Sequence, residues 1–431
     1  MRSVNVALIG AGTVGSGVID FFARRNGRFS PVPGLEIILQ AVCDKSEAAL
    51  NAAAACGCRV FADARAVLAD ERIQVVVELI GGIHPAKEFI LEALRRKKFV
   101  VTANKALLAE QGEELFAAAR ENDVDIFFEA AVGGGIPIIK PLREGLQVNI
   151  FDSVYGIVNG TSNYILSEMA QHGRDFQPVL AEAQKRGYAE QDPTLDIEGI
   201  DAAHKLTVLA RLCFGRKINF ADVYYEGISQ LTAADIRYAH DLGFCVKLLA
   251  IGKASAGGIE LRVHPTLIPQ DHLLAHVQGV FNAIFLHGDK VGDLLFYGRG
   301  AGKEPTAGAV IGDITDAARH ADSSAGGRLW GVQPAADTAA IRPVSDLEMK
   351  YYIRFSAADE PGVLSRVAHI LGSLGISIHS VLQKASPENN AVPIVMMTHT
   401  AKEKNMAQAL REIDTLPVIK TKTVSIRVEN L

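Results

Sequence analysis

Between Ala183 and Lys205 the chain reads AQKRGYAEQDPTLDIEGIDAAHK, which gathers Glu190, Asp192, Asp196, Glu198 and Asp201 ahead of one lysine. Asp201 and Lys205 stand four apart, so on a helix they share a face and the carboxylate can orient the ammonium group. The other acids cluster around Pro193, Gly187 and Gly199, which suits a loop more than a helix face, and loop carboxylates can grip a substrate ammonium. The plain alternative is a solvated acidic loop with a surface ion pair of little energetic consequence.

Six further strings hold residue types suited to chemistry. Gly10-Ala11-Gly12-Thr13-Val14-Gly15 follows an apolar run and opens a helical stretch. In such a turn Gly10 permits the bend, Gly12 lets backbone approach a pyrophosphate and Gly15 allows close helix packing, while the helix N-terminus offers N–H groups to the anion. Asp44 ends the second strand, farther from Gly15 than the usual spacing of about 20 residues because Asn26–Leu35 intervenes. Asp44 suits the free 2′-hydroxyl of NAD, and Lys45 beside it suits the 2′-phosphate of NADP; the sequence leaves both open. In Thr102-Ala103-Asn104-Lys105 a lysine follows a strand end, where ligands of parallel sheets sit. Glu129 with the turn Val132-Gly133-Gly134-Gly135-Ile136 offers a carboxylate and carbonyls, the donor set of a weakly bound hard cation or a plain hinge. Gly160 and Thr161 lie in GIVNGTSNY at a strand–turn–helix junction, where Thr161 is placed as a cap. Gly302, in GAGKEPT, opens a helix that returns over the cofactor, although Lys303 and Glu304 also read as a surface pair.

The elements that must position these groups follow from periodicity. Apolar runs at Val4–Ile9, Glu36–Cys43, Gln74–Leu79, Phe99–Thr102 and Val124–Phe128 alternate with helical stretches at Thr13–Arg25, Pro85–Arg96 and Ala106–Glu121, the pattern of a parallel sheet covered on both faces. The expected domains are 1–130, an NAD(P)-binding Rossmann unit; 131–320, an α+β substrate and dimerisation unit; 321–347, a linker marked by Ser323, Ser324, Gly326, Gly327, Pro334 and Pro343; and 348–431, a separate unit. In the last, strands at Lys350–Phe355, Ile376–Gln383, Val392–Thr398 and Lys422–Val428 and helices at Gly362–Leu374 and Lys402–Asp414 give the ferredoxin-like order β-α-β-β-α-β. The fold class is α/β and α+β multidomain.

Bulk properties exclude several functions. The 431 residues carry a net charge of −5, which gives no electrostatic reason for a nucleic-acid or anionic-membrane partner. Five scattered cysteines suit a reducing cytoplasm. No apolar run approaches the roughly 18 residues of a spanning helix. A strand beginning at Val4 leads to the expectation of no signal or transit peptide. The histidines form no HxxxH or HxH pattern of note, and no nucleophile elbow or zinc motif is present.

The segment Ala183, Gly187, Asp192-Pro193, Asp196, Gly199, Asp201 and Lys205 resembles the signature of homoserine dehydrogenases, with TxNK at Thr102–Lys105 and NGTxNY at Asn159–Tyr164 in family order. Asp359-Glu360-Pro361-Gly362-Val363-Leu364 and Gly375-Ile376-Ser377-Ile378 resemble an ACT domain, an amino-acid-sensing module. The resemblance implies NAD(P)-dependent interconversion of L-homoserine and L-aspartate 4-semialdehyde. It implies Lys205 as general acid and base and Lys105 in the active site. A lysine serving both directions works best with a pKa near the working pH, and a neighbouring carboxylate favours its charged form. Asp201 is therefore given the orienting role and Lys105 the opposing or polarising one. Glu190 and Asp196 would hold the substrate ammonium, with Gly160 and Thr161 nearby. The resemblance further implies a sodium-type cation on Glu129 and the carbonyls of Val132, Gly134 and Ile136, a homodimer or homotetramer, and L-threonine as effector. A chain ending near residue 345 would keep catalysis and lose threonine inhibition. The rival readings are another ACT-bearing dehydrogenase and a non-catalytic amino-acid sensor.

Overall fold

The computed structural model describes residues 2–322, 340–383 and 391–431. Most of the expected linker, including Ser323, Ser324, Gly326, Gly327 and Pro334, lies outside them. The chain forms two compact units: the described parts of Met1–Val154, His204–Ala221 and Asn282–Ala339 in one, and Tyr155–Ala203, Asp222–Phe281 and Ala340–Leu431 in the other.

The first unit begins with β1 (Arg2–Ile9), α1 (Thr13–Ala23), β2 (Arg28–Val32), β3 (Leu35–Cys43), α2 (Glu47–Ala55), β4 (Arg59–Phe61), α3 (Ala64–Leu68), β5 (Val75–Glu78), α4 (Ala86–Arg95), β6 (Phe99–Thr102), α5 (Lys105–Glu121) and β7 (Ile126–Phe127). The sheet order β2-β3-β1-β5-β6-β7, with β4 also on β3, is parallel except for β2. Every residue of β5 and β6 is buried, as their unbroken apolar runs require of strands covered on both faces. On α1, Val18, Ile19 and Phe22 are buried, each worth about 1.5–3 kcal/mol relative to exposure. The expected insertion at Asn26–Leu35 contains β2. Its Pro31 is tolerated because β2 is an edge strand that, among the described residues, pairs only with β3.

Next come β8 (Phe151–Ile157), α6 (Gly160–His172), α7 (Phe176–Lys185), α8 (Thr194–Ile197), α9 (Ile200–Phe214), β9 (Tyr224–Tyr225), α10 (Ala233–Asp241), β10 (Phe244–Ser255), β11 (Gly258–Pro269), β12 (Phe281–Gly288), β13 (Gly292–Arg299) and α11 (Lys303–Asp322). The segment read as an acidic loop thus contains one short helix and the start of a longer one. Helix α11 returns to the nucleotide unit: a Cβ on Gly17 of α1 would lie 2.8 Å from the Ala307 Cβ, so the two helices meet with no spare room. Lys303 pairs with Asp20 of α1 at 2.7 Å instead of forming a local pair with Glu304.

The C-terminal region contains β14 (Glu348–Ala358), α12 (Val363–Ser373), β15 (Ile378–Gln383), β16 (Ala391–Thr398), β17 (Ala401–Lys402), α13 (Glu403–Asp414) and β18 (Val424–Val428). Its sheet order β18-β14-β16-β15 is ferredoxin-like, and α12 and α13 bury Val367, Leu371, Met406 and Ile413 against Tyr351, Ile353 and Phe355. The sheet of this region extends beyond residues 348–431. Strand β18 continues the sheet onto β11 in parallel, pairing Thr266 with Arg427 and Leu267 with Val428. Beside it Asp235 of α10, fully buried, accepts from Arg354 Nη2 at 2.9 Å and from Tyr352 Oη at 3.2 Å. None of the described helices is long and apolar enough to cross a membrane.

Candidate active site

The glycine turn sits where β1 ends. Gly10 has φ +97, and a Cβ there would lie 2.6 Å from the Leu79 carbonyl carbon, so both conformation and space demand glycine. A Cβ on Gly15 would lie 2.1 Å from the Gly10 oxygen, whereas one on Gly12 would meet nothing within 4 Å. Gly12 therefore faces open space at the N-terminus of α1, which has no side-chain cap. Thr13 and Val14 form its first turn. A cleft of about 830 Å³ opens here, lined by Gly10, Gly12, Asp44, Lys45, Arg65 and Ile80 among others. Asp44 is pinned at its wall: one carboxylate oxygen accepts from Ala11 N at 2.6 Å, the other from Ser46 N at 2.7 Å.

The start of α5, where Lys105 stands, is held by a network that sequence reasoning missed. Glu78 at the end of β5 is fully buried; its carboxylate accepts from Ile80 N at 2.8 Å, Gly81 N at 3.2 Å and Thr102 Oγ1 at 2.7 Å. Burial raises its pKa, and those hydrogen bonds oppose the rise. Thr102 Oγ1 accepts in turn from Asn104 N, and Asn104 both donates to the Gly82 carbonyl at 2.7 Å and caps α5 through Leu107 N. The cleft loop at 80–82 and the helix starting at Lys105 are thereby fixed to one buried carboxylate.

Lys205 lies on α9, one turn after Asp201, and both are buried. The Lys205 end of α9 is tied to α5. Arg211 donates to the carbonyls of Leu108 and Ala109 and to that of Ile218, and His204 Nε2 lies 3.2 Å from a Glu110 oxygen. A Cβ on Gly112 would lie 2.7 Å from Arg211 Nη1, so the glycine makes this approach possible. The helix that Lys105 opens and the segment that carries Lys205 are thus parts of one compact unit.

In the second unit Asn159 gathers the acids. Its Nδ2 donates to Asp196 at 2.7 Å and Asp201 at 2.9 Å, and its oxygen caps α6 through Ser162 N. The capping role expected of Thr161 therefore belongs to Asn159; Thr161 Oγ1 donates to the Tyr188 carbonyl at 2.6 Å, and Gly160 is the first residue of the helix. Ser162 Oγ holds the Asp196 carbonyl at 2.7 Å. The Glu190 carbonyl accepts from Gln184 Nε2, and the residue is exposed. Asp192 is occupied locally, accepting from Thr194 N and Oγ1.

Models of protein families match three segments: "Homoserine dehydrogenase, NAD binding domain" over residues 10–129, "Homoserine dehydrogenase" over 137–315 and "ACT domain" over 351–418. The homoserine dehydrogenase of Neisseria gonorrhoeae is 46% identical over the whole of both chains. The chain belongs to the homoserine dehydrogenase family. A crystal structure of a homoserine dehydrogenase from Thiobacillus denitrificans has a TM-score of 0.91 at 44% identity, covering 100% of this chain and 99% of its own. A hyperthermophilic archaeal homoserine dehydrogenase in complex with NADPH has a TM-score of 0.62 at 27% identity, covering 73% of this chain and 98% of its own. The enzyme is an oxidoreductase that binds a nicotinamide dinucleotide and acts on homoserine and aspartate semialdehyde.

Glu129 Oε1 accepts from Ile138 N and Ile139 N at 2.6 and 2.8 Å, and Oε2 from Lys140 N at 2.8 Å, so a lone pair of Oε2 remains. Gly133 and Gly134 have φ +73 and +53, which folds the turn carrying the carbonyls of Val132, Gly134 and Ile136. Asp313 accepts from Glu129 N at 2.8 Å; burial, then the Glu129 charge, hold its carboxyl well above the usual range. The Glu129 carboxylate and the carbonyls of such a turn are a donor set that suits a hard, weakly held cation. Gly302 has φ +124 and precedes α11.

Proposed function

We propose that Lys205 moves the proton at the substrate oxygen while the enzyme interconverts L-homoserine and L-aspartate 4-semialdehyde. The observation that carries this is a buried Lys205 one helical turn from a buried Asp201, on a segment tied to the helix that Lys105 opens. Bound NAD(P) supplies or takes up the hydride. Lys205 donates its proton when the carbonyl is reduced and accepts it when the alcohol is oxidised. Asp201, itself held by Asn159, orients Lys205 through the four-residue spacing on α9. Lys105 polarises the carbonyl and opposes the Asp201 charge. Glu190 and Asp196 take the substrate ammonium, beside Gly160 and Thr161. Following nicotinamide absorbance with L-homoserine tests this reading and separates it from another ACT-bearing dehydrogenase and from a non-catalytic sensor.

For the cofactor, the Gly10–Gly15 turn receives the pyrophosphate, and Gly302 brings α11 back towards the same unit. The pinned Asp44 favours the free 2′-hydroxyl of NAD. Lys45 and Arg65, both exposed, are the counterweight that admits NADP, as bound by the archaeal relative. Asp44→Ser is expected to raise the ratio of kcat/KM with NADP to that with NAD about tenfold. Steady-state kinetics with both cofactors check it; an unchanged ratio removes Asp44 as the discriminator.

The ACT region is read as a sensor of L-threonine. Gly362 and Gly375, with φ +88 and +70, bracket α12, whose N-terminus has no side-chain cap. Edge strand β15 pairs only with β16 among the described residues and offers its other side to a second copy, in keeping with a homodimer or homotetramer. Melting temperature is expected to rise with millimolar L-threonine, and to fall when sodium chloride is replaced by choline chloride, which removes the cation from the Glu129 turn. A flat response to either ligand removes that ligand from the account. The five free thiols support a cytoplasmic location.

A further inference from the structure

We propose that Arg427, in the last strand of the ACT region, is a positioning residue for the acidic substrate segment and acts on it through Glu226. Arg427 is almost fully buried and holds Glu226 with two parallel bonds, Nη1 to Oε2 at 2.7 Å and Nη2 to Oε1 at 3.0 Å. Its other donors go to Glu403, at 3.0 Å from Nε and 2.6 Å from Nη2, and to Tyr224 Oη at 3.1 Å. Tyr224 also donates to Glu226. One guanidinium thus separates two carboxylates. A two-pronged ion pair of this kind fixes direction as well as distance.

The backbone that follows Glu226 has no slack against the substrate segment. Ile228 N donates to the Ile197 carbonyl at 2.8 Å, and Ser229 Oγ to Glu198 Oε1 at 3.0 Å. A Cβ on Gly227 would lie 2.4 Å from the Ile197 oxygen. Gly199, at φ +81, would place a Cβ 3.1 Å from the Glu226 oxygen. A shift of residues 226–228 therefore moves residues 197–199, which lie between Asp196 and Asp201, the two acids that Asn159 holds. The ACT strand β18 reaches the substrate acids by this route. Every residue on this route belongs to the second unit and the glycine turn to the first, so the effect is expected to be selective for the substrate.

The inference rests on the assignment of Asp196 to the substrate ammonium. Arg427→Met is expected to raise KM for L-homoserine about tenfold, to change kcat less, and to leave the Kd for NAD(P) unchanged. Arg427→Lys restores part of the loss because it keeps the charge without the fork. Glu226→Gln removes the same pair while Arg427 keeps Glu403, so it tests the idea even if Arg427→Met does not fold. Combined with Arg427→Met, it should add little. A folded Arg427→Met or Glu226→Gln enzyme with unchanged KM for L-homoserine overturns the proposal, and so does equal weakening of homoserine and cofactor. Failure of the wild-type chain to oxidise homoserine at all would count against the substrate reading instead.

Discussion

Lys205→Ala is expected to lower kcat by about 10²–10⁴ with cofactor binding intact. The residue is buried on α9, and its segment is clamped to α5 by Arg211 through carbonyls of Leu108 and Ala109. On the proposed roles, loss of the amine removes the proton carrier without disturbing that clamp, and the glycine turn proposed to receive the cofactor is built by other elements. Glu190→Gln should behave differently: Glu190 is exposed, so its change should raise KM for L-homoserine far more than it lowers kcat. Steady-state kinetics with cofactor titration by fluorescence measure both. A Lys205→Ala enzyme with near-normal kcat at neutral pH would exclude Lys205 as proton carrier.

Asp235→Ala is expected to cost about 3 kcal/mol of stability, because it leaves the largely buried Arg354 guanidinium without its carboxylate. A further roughly 1 kcal/mol follows from loss of the capping box that Asp235 forms with Thr232 on α10. The midpoint of urea unfolding reads this out; a shift equivalent to less than about 1 kcal/mol would mean that the pair behaves as a solvated one. The same contacts change what removal of the C-terminal region should do. A chain ending near residue 345 would expose the β11 edge and leave Asp235 and Glu226 without Arg354 and Arg427. Such a chain should lose homoserine binding and solubility, rather than persist as an active enzyme that merely ignores threonine.

The nucleotide fold was legible because its signals are local. Val75–Glu78 and Phe99–Thr102 are largely apolar runs, and Gly10 and Gly15 each meet a distinct steric demand at their own position, while Gly12 leaves the helix start open. Strand β2 was hidden because Pro31, Pro33 and Gly34 read as a loop, and only its edge position makes a proline acceptable there. The partnership of β18 with β11 joins Thr266 to Arg427, far apart in sequence, and parallel pairing leaves no local trace.

The site divides the same way. Lys105, Lys205 and Asp201 stand at motif positions, whereas the residues that hold the site look ordinary in sequence. Glu78 is a lone acid ending an apolar strand, and its value appears only when Thr102 and the N–H groups of Ile80 and Gly81 converge on it. Asn159 precedes a glycine as many turn residues do; its grip on Asp196 and Asp201 needs chain segments about forty residues apart to meet, and it took the capping role expected of Thr161. Arg427 is a surface-type residue by composition, and its burial at a strand pairing, with Glu226 beside it, gives the pair its role.

Nicotinamide absorbance recorded with the full-length enzyme, L-homoserine and either NAD or NADP tests the central claim most directly. The account predicts a rise in absorbance that depends on L-homoserine, is absent with L-serine or L-threonine as substrate, and is lost in Lys205→Ala. A folded enzyme that binds NAD(P) yet gives no reduced cofactor with L-homoserine, or gives it equally well with Lys205 removed, would contradict it.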